Sequence, residues 1–145
     1  MITSDDIVMS QISINQMALK IGANRPIDTN FNVESEISHA FSIQPKSEHV
    51  SIALSFRFQA IDFQKELLPL ELQIGIDTIF YVNGLANHLN FQSKTVATSI
   101  NKSLAEIIFS MAYATSRGII FEKSVGTPFA GLIIPTVDTD DILNS

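Results

Sequence analysis

A chain of 145 residues with 46% hydrophobic residues and no cysteine is the size of one domain, long enough to bury about two-thirds of its unfolded surface without disulfides or thiolate-bound metal. Nine Lys and Arg, scattered singly, stand against fifteen Asp and Glu for a formal net charge of −6, which excludes the basic patch that neutralises successive phosphates, so no nucleic-acid partner is expected. Only 17% of the residues are charged and there are ten Phe, an apolar balance that either fills a core or leaves surface for an interface.

Asp5 and Asp6 precede the first basic residue, Lys20, so the start of the chain lacks the charged and apolar regions of a signal peptide. With the absence of cysteine this points to a cytoplasmic protein. The most apolar stretch, Leu104 to Ala114, contains Glu106 and is roughly half the ~20 residues a bilayer span needs, so a soluble chain without direct membrane insertion is expected. No repeat, low-complexity tract or linker divides the sequence, and residues 1–145 read as one domain.

Val8 to Ile21 alternates in two registers, Ile12 and Ile14 in one and Met17, Leu19 and Ile21 in the other, as a bulged strand or a strand pair does. Gly22, Asn24 and Pro26 break it. From Phe31 the odd positions Val33, Ile37, Phe41 and Ile43 are apolar between polar neighbours, the period of a half-buried strand. Pro45 to Glu48 turns the chain, and the stripe moves to even positions, Val50, Ile52, Leu54, Phe56, Phe58 and Ala60. A third stripe runs over Leu68, Leu70, Leu72, Ile74, Ile76, Phe80 and Val82, with Pro69 near its start. Strands joined by connections too short for a helix pair antiparallel, with one face buried and the other wet.

After Asn83-Gly84 the period changes. Val96, Ile100, Leu104, Ile107, Ile108 and Met111 recur at helical spacing, predicting a helix from about Thr95 to Ser116, ~33 Å long. Gly118 after Arg117 is placed as its C-terminal glycine. Ala105, Phe109, Ala112, Tyr113 and Ala114 lie off the main stripe, so the helix packs on two sides. One side faces its own sheet, and a second copy of the chain is expected to cover the other. The expected oligomer interface is Ile100, Leu104, Ile107, Ile108, Phe109, Met111 and Tyr113. The alternative is a helix covered by the chain's own last residues.

Catalytic chemistry leaves little trace. His39, His49 and His88 lie far apart without a second ligand at helical metal spacing, and no metal site or cofactor is expected. Asp138, Asp140 and Asp141 resemble the start of a calcium loop without its glycine and terminal glutamate. Gly75, Gly84 and Gly118 are isolated, and no nucleophile elbow or phosphate-binding glycine loop occurs. Glu34 or Glu36 with Glu71 or Asp77 offers a carboxylate pair across strands, though exposed strand carboxylates ordinarily solvate. Asn101-Lys102-Ser103 matches a glycosylation sequon but falls inside the predicted helix. The chain does not read as an enzyme.

Three stretches stand in order along the second half: Thr78-Ile79-Phe80-Tyr81-Val82-Asn83-Gly84-Leu85, Ser116-Arg117-Gly118, and Pro128-Phe129-Ala130-Gly131-Leu132-Ile133-Ile134-Pro135. With the order of elements they resemble the SecB family of export chaperones: the first its last strand and turn, the second the close of its long helix, the third its Leu-rich terminal run. The resemblance covers half the chain, and the first half agrees in strand pattern. It implies an α+β fold, a four-stranded antiparallel sheet followed by one long helix and a short C-terminal helix or extended segment. It further implies a dimer of dimers, with long helices between the sheets, that holds non-native chains in apolar grooves without ATP.

A holdase needs exposed apolar side chains and strand edges. The candidates for client contact are Phe31, Phe41, Phe56, Phe58, Phe80, Phe121, Phe129 and Leu132. An acidic surface favours basic, unfolded clients. Three departures bear on export. Ile119 to Val125 adds residues relative to the family, Gln73 stands where an acidic contact to the SecA motor aligns, and the sequence stops at Ser145 without the family's longer tail. The expected partners are therefore unfolded or partly folded polypeptides, with SecA or an antitoxin as the dedicated partner, since members of the family also serve toxin–antitoxin systems. A non-enzymatic adaptor that binds one folded partner is the alternative, and a small-molecule-binding or hydrolytic domain a distant third.

Overall fold

The computed structural model describes residues 2–22, 31–91, 97–132, 134 and 143. Strands β1 (Ile7–Ile21), β2 (Asn32–Gln44), β3 (His49–Ile61) and β4 (Leu67–Val82) pair antiparallel in the order β1-β4-β3-β2. The register explains why the apolar parity differs from strand to strand: Ile37 of β2 lies opposite Phe56 of β3, and Phe56 opposite Ile74 of β4. Because side chains alternate across a strand, these pairings gather the odd residues of β2 and the even residues of β3 and β4 on one face. Of the two readings open for Val8 to Ile21, the structure selects the bulged strand. Register shifts between Met9 and Gln11 and between Ile14 and Gln16 bring Met9, Ile12, Ile14, Met17 and Leu19 to the same side. The second bulge lies against Gly75, where a Cβ would collide with the Asn15 side chain as it is placed here; the glycine leaves room for that close approach.

The turns are built from short polar contacts. Glu48, with φ of 58°, closes the β2–β3 turn, and its carboxylate accepts from the Gly84 N–H at 2.7 Å, tying that turn to the one after β4. Asp62 Oδ1 accepts from the Gln64 and Glu66 N–H groups at 2.8 and 2.9 Å and closes the β3–β4 turn. Gly84, in the left-handed region at φ 68°, starts a short 3-10 turn over Leu85–His88. A small hairpin of β5 (Leu89–Phe91) and β6 (Ala97–Ile100) follows.

Helix α1 runs Lys102–Lys123, displaced from the predicted Thr95 to Ser116 at both ends. Residues 97–100 belong to β6, and residues 92–96, with the predicted start at Thr95, lie outside the described residues. Asn101 is the N-cap, its Oδ1 accepting from the Leu104 N–H at 3.0 Å. The sequon asparagine is thus a cap and not part of the helix body. Gly118 does not end the helix: it sits in the interior, exposed, with nothing within 4 Å of a Cβ. A helical glycine costs about 1 kcal/mol, less than the burial of Ile120, two residues on, is worth. The first left-handed glycine after the helix is Gly126, at φ 85°. Residues 119–123 therefore extend α1.

One face of α1, formed by Leu104, Ile108, Phe109, Ala112, Tyr113, Ser116 and Ile120, is buried. It packs on a sheet face of Val50, Ile52, Leu54, Phe56, Phe58, Leu70, Leu72, Ile74, Ile76, Phe80 and Val82. Ring contacts fix its course. Phe109 lies 6.0 Å from His39 of β2 and Tyr113 6.1 Å from Phe56 of β3, while Ile119, Glu122 and Lys123 border Ile12 and Ile14 of β1. The helix crosses the sheet obliquely, from β2 to β1. By length and composition alone it is apolar enough to cross a membrane, with a mean hydropathy of 1.3, a longer apolar run than Leu104 to Ala114; here one face is sheet-packed.

Two hydroxyls within this core, Thr78 Oγ1 and Ser116 Oγ, have no hydrogen-bond partner among the described residues. An unpaired buried hydroxyl costs about 1–3 kcal/mol, so Thr78→Val is expected to raise the unfolding free energy by about 1 kcal/mol in urea denaturation. Phe56→Ala is expected to lower it by about 3–5 kcal/mol. Phe121→Ala, at a side chain 52% exposed, is expected to change it by less than about 0.5 kcal/mol.

Candidate polypeptide-binding surface

The helix-facing side of the sheet is not covered to its edges. Ile14, Met17, Leu19 and Ile21 of β1 point to the same side as the core and are 38%, 43%, 36% and 52% exposed. Their positions follow from the bulges, which keep this strand's apolar residues in phase with β4, and from the oblique path of α1. Where the end of α1 approaches β1, Ile12, Ser13, Ile14, Ile119, Glu122 and Lys123 line a groove of about 300 Å³. Among the described residues no strand pairs with the outer edge of β1. An aliphatic stripe beside a strand edge offers both generic side-chain contact and main-chain hydrogen bonds to an extended chain.

A second groove, of about 460 Å³, lies where β2 passes the start of α1. His39, Phe41 and Ile43 line it from β2, Ile100 and Ala105 from the β6–α1 junction, and Leu143 from the end of the sequence, with Asn90, Ser99 and Lys102 also at its walls. His39 meets Phe41 edge-on at 5.7 Å, which makes its imidazole part of an aromatic wall.

The opposite sheet face is polar. Arg57 bonds the Glu71 carboxylate and reaches Glu36 at 3.4 Å, while Gln73 donates to Glu71 at 2.9 Å. The Arg57 hydrogen bond, then that of Gln73, holds the Glu71 carboxyl below the usual range, and Glu71 raises the Arg57 guanidinium. Asp77 accepts from Asn15 Nδ2 at 2.7 Å. Of the carboxylates considered as an acid–base pair, Glu36, Glu71 and Asp77 are thus tied to a guanidinium or to side-chain amides; exposed pairs of this kind add little stability. Among the described residues no three His, Asp or Glu side chains gather as a metal site. Asp138, Asp140 and Asp141 lie outside the described residues, as do Asn24, Pro26, Ile133 and Pro135, and of residues 135–145 only Leu143 is described.

The candidate client residues divide. Phe56, Phe58, Phe80 and Phe129 are 2% exposed or less and are not available to a partner in this chain, because the even face of β3 and β4 is the one α1 covers. Phe31, Phe41 and Leu132 are half-buried at the margin of the core, and Phe121 is exposed. The candidate oligomer residues divide likewise. Ile100, Leu104, Ile108, Phe109 and Tyr113 are buried within the chain, since the strongest apolar stripe of the helix turns to its own sheet. Burial also pushes the Tyr113 phenol up from its ordinary pKa. Ile107 and Met111 flank that face half-buried, beside an outer face of exposed Ser110, Ala114 and Gly118. The sequence reading found the alternation of β1 without its exposure. Phe63 and Leu67, not among the candidates, are 77% and 65% exposed at the β3–β4 turn; Leu67, two residues before Pro69, carries the available signal.

The sequence matches no protein-family model and no curated protein. Among solved structures, the chain is similar to the Rv1957 SecB-like chaperone of Mycobacterium tuberculosis in complex with a ChAD peptide from the Rv1956 HigA1 antitoxin, at 9% identity over 93% of each chain with a TM-score of 0.65. It is also similar to a protein of unknown function from Streptococcus agalactiae, at 11% identity over 90% of this chain and 97% of that one, with a TM-score of 0.45. At such identities the likeness is one of fold, and the four-stranded antiparallel sheet followed by a long helix gives this chain the topology of a SecB-like chaperone.

Proposed function

We propose that the protein is a SecB-like holdase that binds non-native polypeptide without nucleotide, cofactor or catalysis, in the cytoplasm and as a homo-oligomer. The observation that carries the reading is the uncovered aliphatic stripe of β1, Ile14, Met17, Leu19 and Ile21, beside an unpaired strand edge. Apolar area gains about 25 cal/mol per Å² on leaving water, so a side chain laid over this stripe is held whatever its sequence, and main-chain pairing along the edge adds affinity that reads no side chain. The net charge of −6 speeds the approach of basic, unfolded segments.

The similar M. tuberculosis chaperone holds a peptide from an antitoxin, which supports an antitoxin as a dedicated client over service to the SecA motor. The outer sheet face agrees with that choice: Gln73 stands among Glu71 and Asp77, and Glu71 is occupied by Arg57. Self-assembly is assigned to the outer face of α1, where Ser110, Ala114 and Gly118 follow one another at four-residue spacing and are exposed. Small side chains there let a second helix approach closely, and a dimer of dimers built through this face leaves the β1 stripe for clients.

Suppression of the aggregation of a reduced, unfolded client, followed by light scattering at near-stoichiometric ratios, tests the reading. Protection is expected, and Met17→Lys with Leu19→Lys is expected to reduce it several-fold without loss of helix and strand content by circular dichroism. An adaptor for one folded partner gives no protection. Size-exclusion chromatography with light scattering is expected to show a tetramer, which Ala114→Arg converts to a smaller species.

A further inference from the structure

The outer edge of β1 is not uniform along its length. Ser10 and Asn15 are the extra residues of its two bulges. From Gln16 to Ile21 the strand follows β4 without a shift, with Met17 opposite Ile74, Ala18 opposite Gln73, Leu19 opposite Leu72 and Lys20 opposite Glu71. A bulge interrupts regular pairing, so this longest unbulged section, about 20 Å of strand, is where a further strand can lie in register. Its two sides differ. Met17, Leu19 and Ile21 are exposed on the helix side, while Ala18 and Lys20 share the polar side with Gln73 and Glu71.

Lys20 carries a charge that the chain itself does not answer. The carboxylate opposite it, Glu71, is taken by Arg57 and by Gln73, whose Nε2 donates to it at 2.9 Å. Of the groups that hold the Glu71 carboxyl low, Lys20 has the smallest effect. Lys20 is exposed and makes no ion pair among the described residues. A lysine on an edge disfavours pairing with an uncharged strand and favours a strand that brings a carboxylate alongside it. A second copy of the chain brings none to this edge: β1 has no Asp or Glu from Ile7 to Ile21, so self-pairing leaves both lysines unanswered.

We propose that Gln16–Ile21 of β1 is a strand-addition site selective for an extended segment of another polypeptide in which apolar residues alternate with acidic ones, the apolar side chains covering Met17, Leu19 and Ile21 and a carboxylate pairing with Lys20. The inference rests on the reading of the β1 stripe as a polypeptide-binding surface and names the class of segment it takes. Neighbouring side chains of a strand point to opposite sides, so an alternating segment meets the aliphatic side and the lysine at once. A segment with its apolar residues in one block loses every second contact. The net charge of −6 acts on the approach of a whole chain, whereas Lys20 acts on the residue seated beside it, well inside the screening length of about 8 Å at physiological salt.

The test uses the full chain and fluorescein-labelled synthetic peptides, measured by fluorescence anisotropy at physiological salt. One peptide alternates valine and glutamate, a second has the same composition with the valines in one block, and a third alternates valine and lysine. The unaltered chain is expected to bind the first about ten-fold more tightly than the second and about five-fold more tightly than the third. Lys20→Glu is expected to reverse the preference between glutamate and lysine peptides, and Lys20→Gln to abolish it, with circular dichroism as the folding control. Equal affinity for the alternating and blocked peptides, no preference between glutamate and lysine in the unaltered chain, or a preference that both variants retain overturns the proposal. So does absence of binding, the outcome if a second copy occupies the edge. The aggregation assay is read separately: protection without discrimination among the peptides refutes the strand-addition site and leaves the holdase, whereas discrimination without protection does the reverse.

Discussion

One helix cannot cover four strands. Strands spaced about 4.8 Å apart make this sheet face some 19 Å across, while an α-helix with its side chains is about 10–12 Å in diameter. The central strands, β3 and β4, receive α1 and carry the sealed core of Phe56, Phe58, Ile74, Ile76 and Phe80. The flanking strands must find other cover or go without. On β2 the residues after α1 supply it, through Phe129, Ile134 and Leu143. On β1 nothing among the described residues covers Ile14, Met17, Leu19 and Ile21 to the degree that the central strands are covered. The surface proposed for polypeptide binding is the remainder of this mismatch.

The contrast between the two sheet faces gives that remainder a direction. Opposite the helix, the sheet shows Ser51, Ser55, Arg57, Gln59, Glu71, Gln73 and Asp77, cross-linked by Arg57 and by side-chain amides. Around Arg57 that face satisfies its charges with its own partners, and its exposed apolar residues, Val8 and Tyr81, lie at the far end of the sheet. The surface proposed for polypeptide lies on the helix side, where the bulges of β1 keep its apolar residues in phase. Bulges also twist an edge strand and limit its pairing with further strands, which guards the unpaired edge of β1 against open-ended association.

The same economy of cover shapes the helix. Its most apolar stripe is spent on the sheet, which leaves small residues outside and explains how a helix rich in apolar residues presents a mild outer surface. Extension through Gly118 to Lys123 carries the helix end to β1 and makes the groove there; a helix that stopped at Gly118 would leave still more of β1 bare. A SecB-like sheet and long helix therefore acquire, in this chain, a β2 flank partly covered by residues after α1 and a β1 flank left open.

The period of two in the strands, the change of parity at Pro45 to Glu48 and the helical spacing from Leu104 were enough to read the sheet, its antiparallel pairing and the long helix, because each follows from local geometry repeated over many residues. The stretches around Asn83-Gly84 and Pro128 to Pro135 were enough to suggest the SecB family. Which apolar residues are exposed was not legible, since Phe56 and Met17 look alike in a sequence and differ only in whether a helix arriving from elsewhere lies over them. The helix bounds were missed for the same kind of reason. Residues 97–100 were claimed by a hairpin partner, and Gly118 was carried through by the burial of Ile120, both long-range effects that no local pattern records. Sequence alone determined which residues share a face; the angle at which α1 crosses that face, set by packing between elements far apart in the chain, decided which of them meet water.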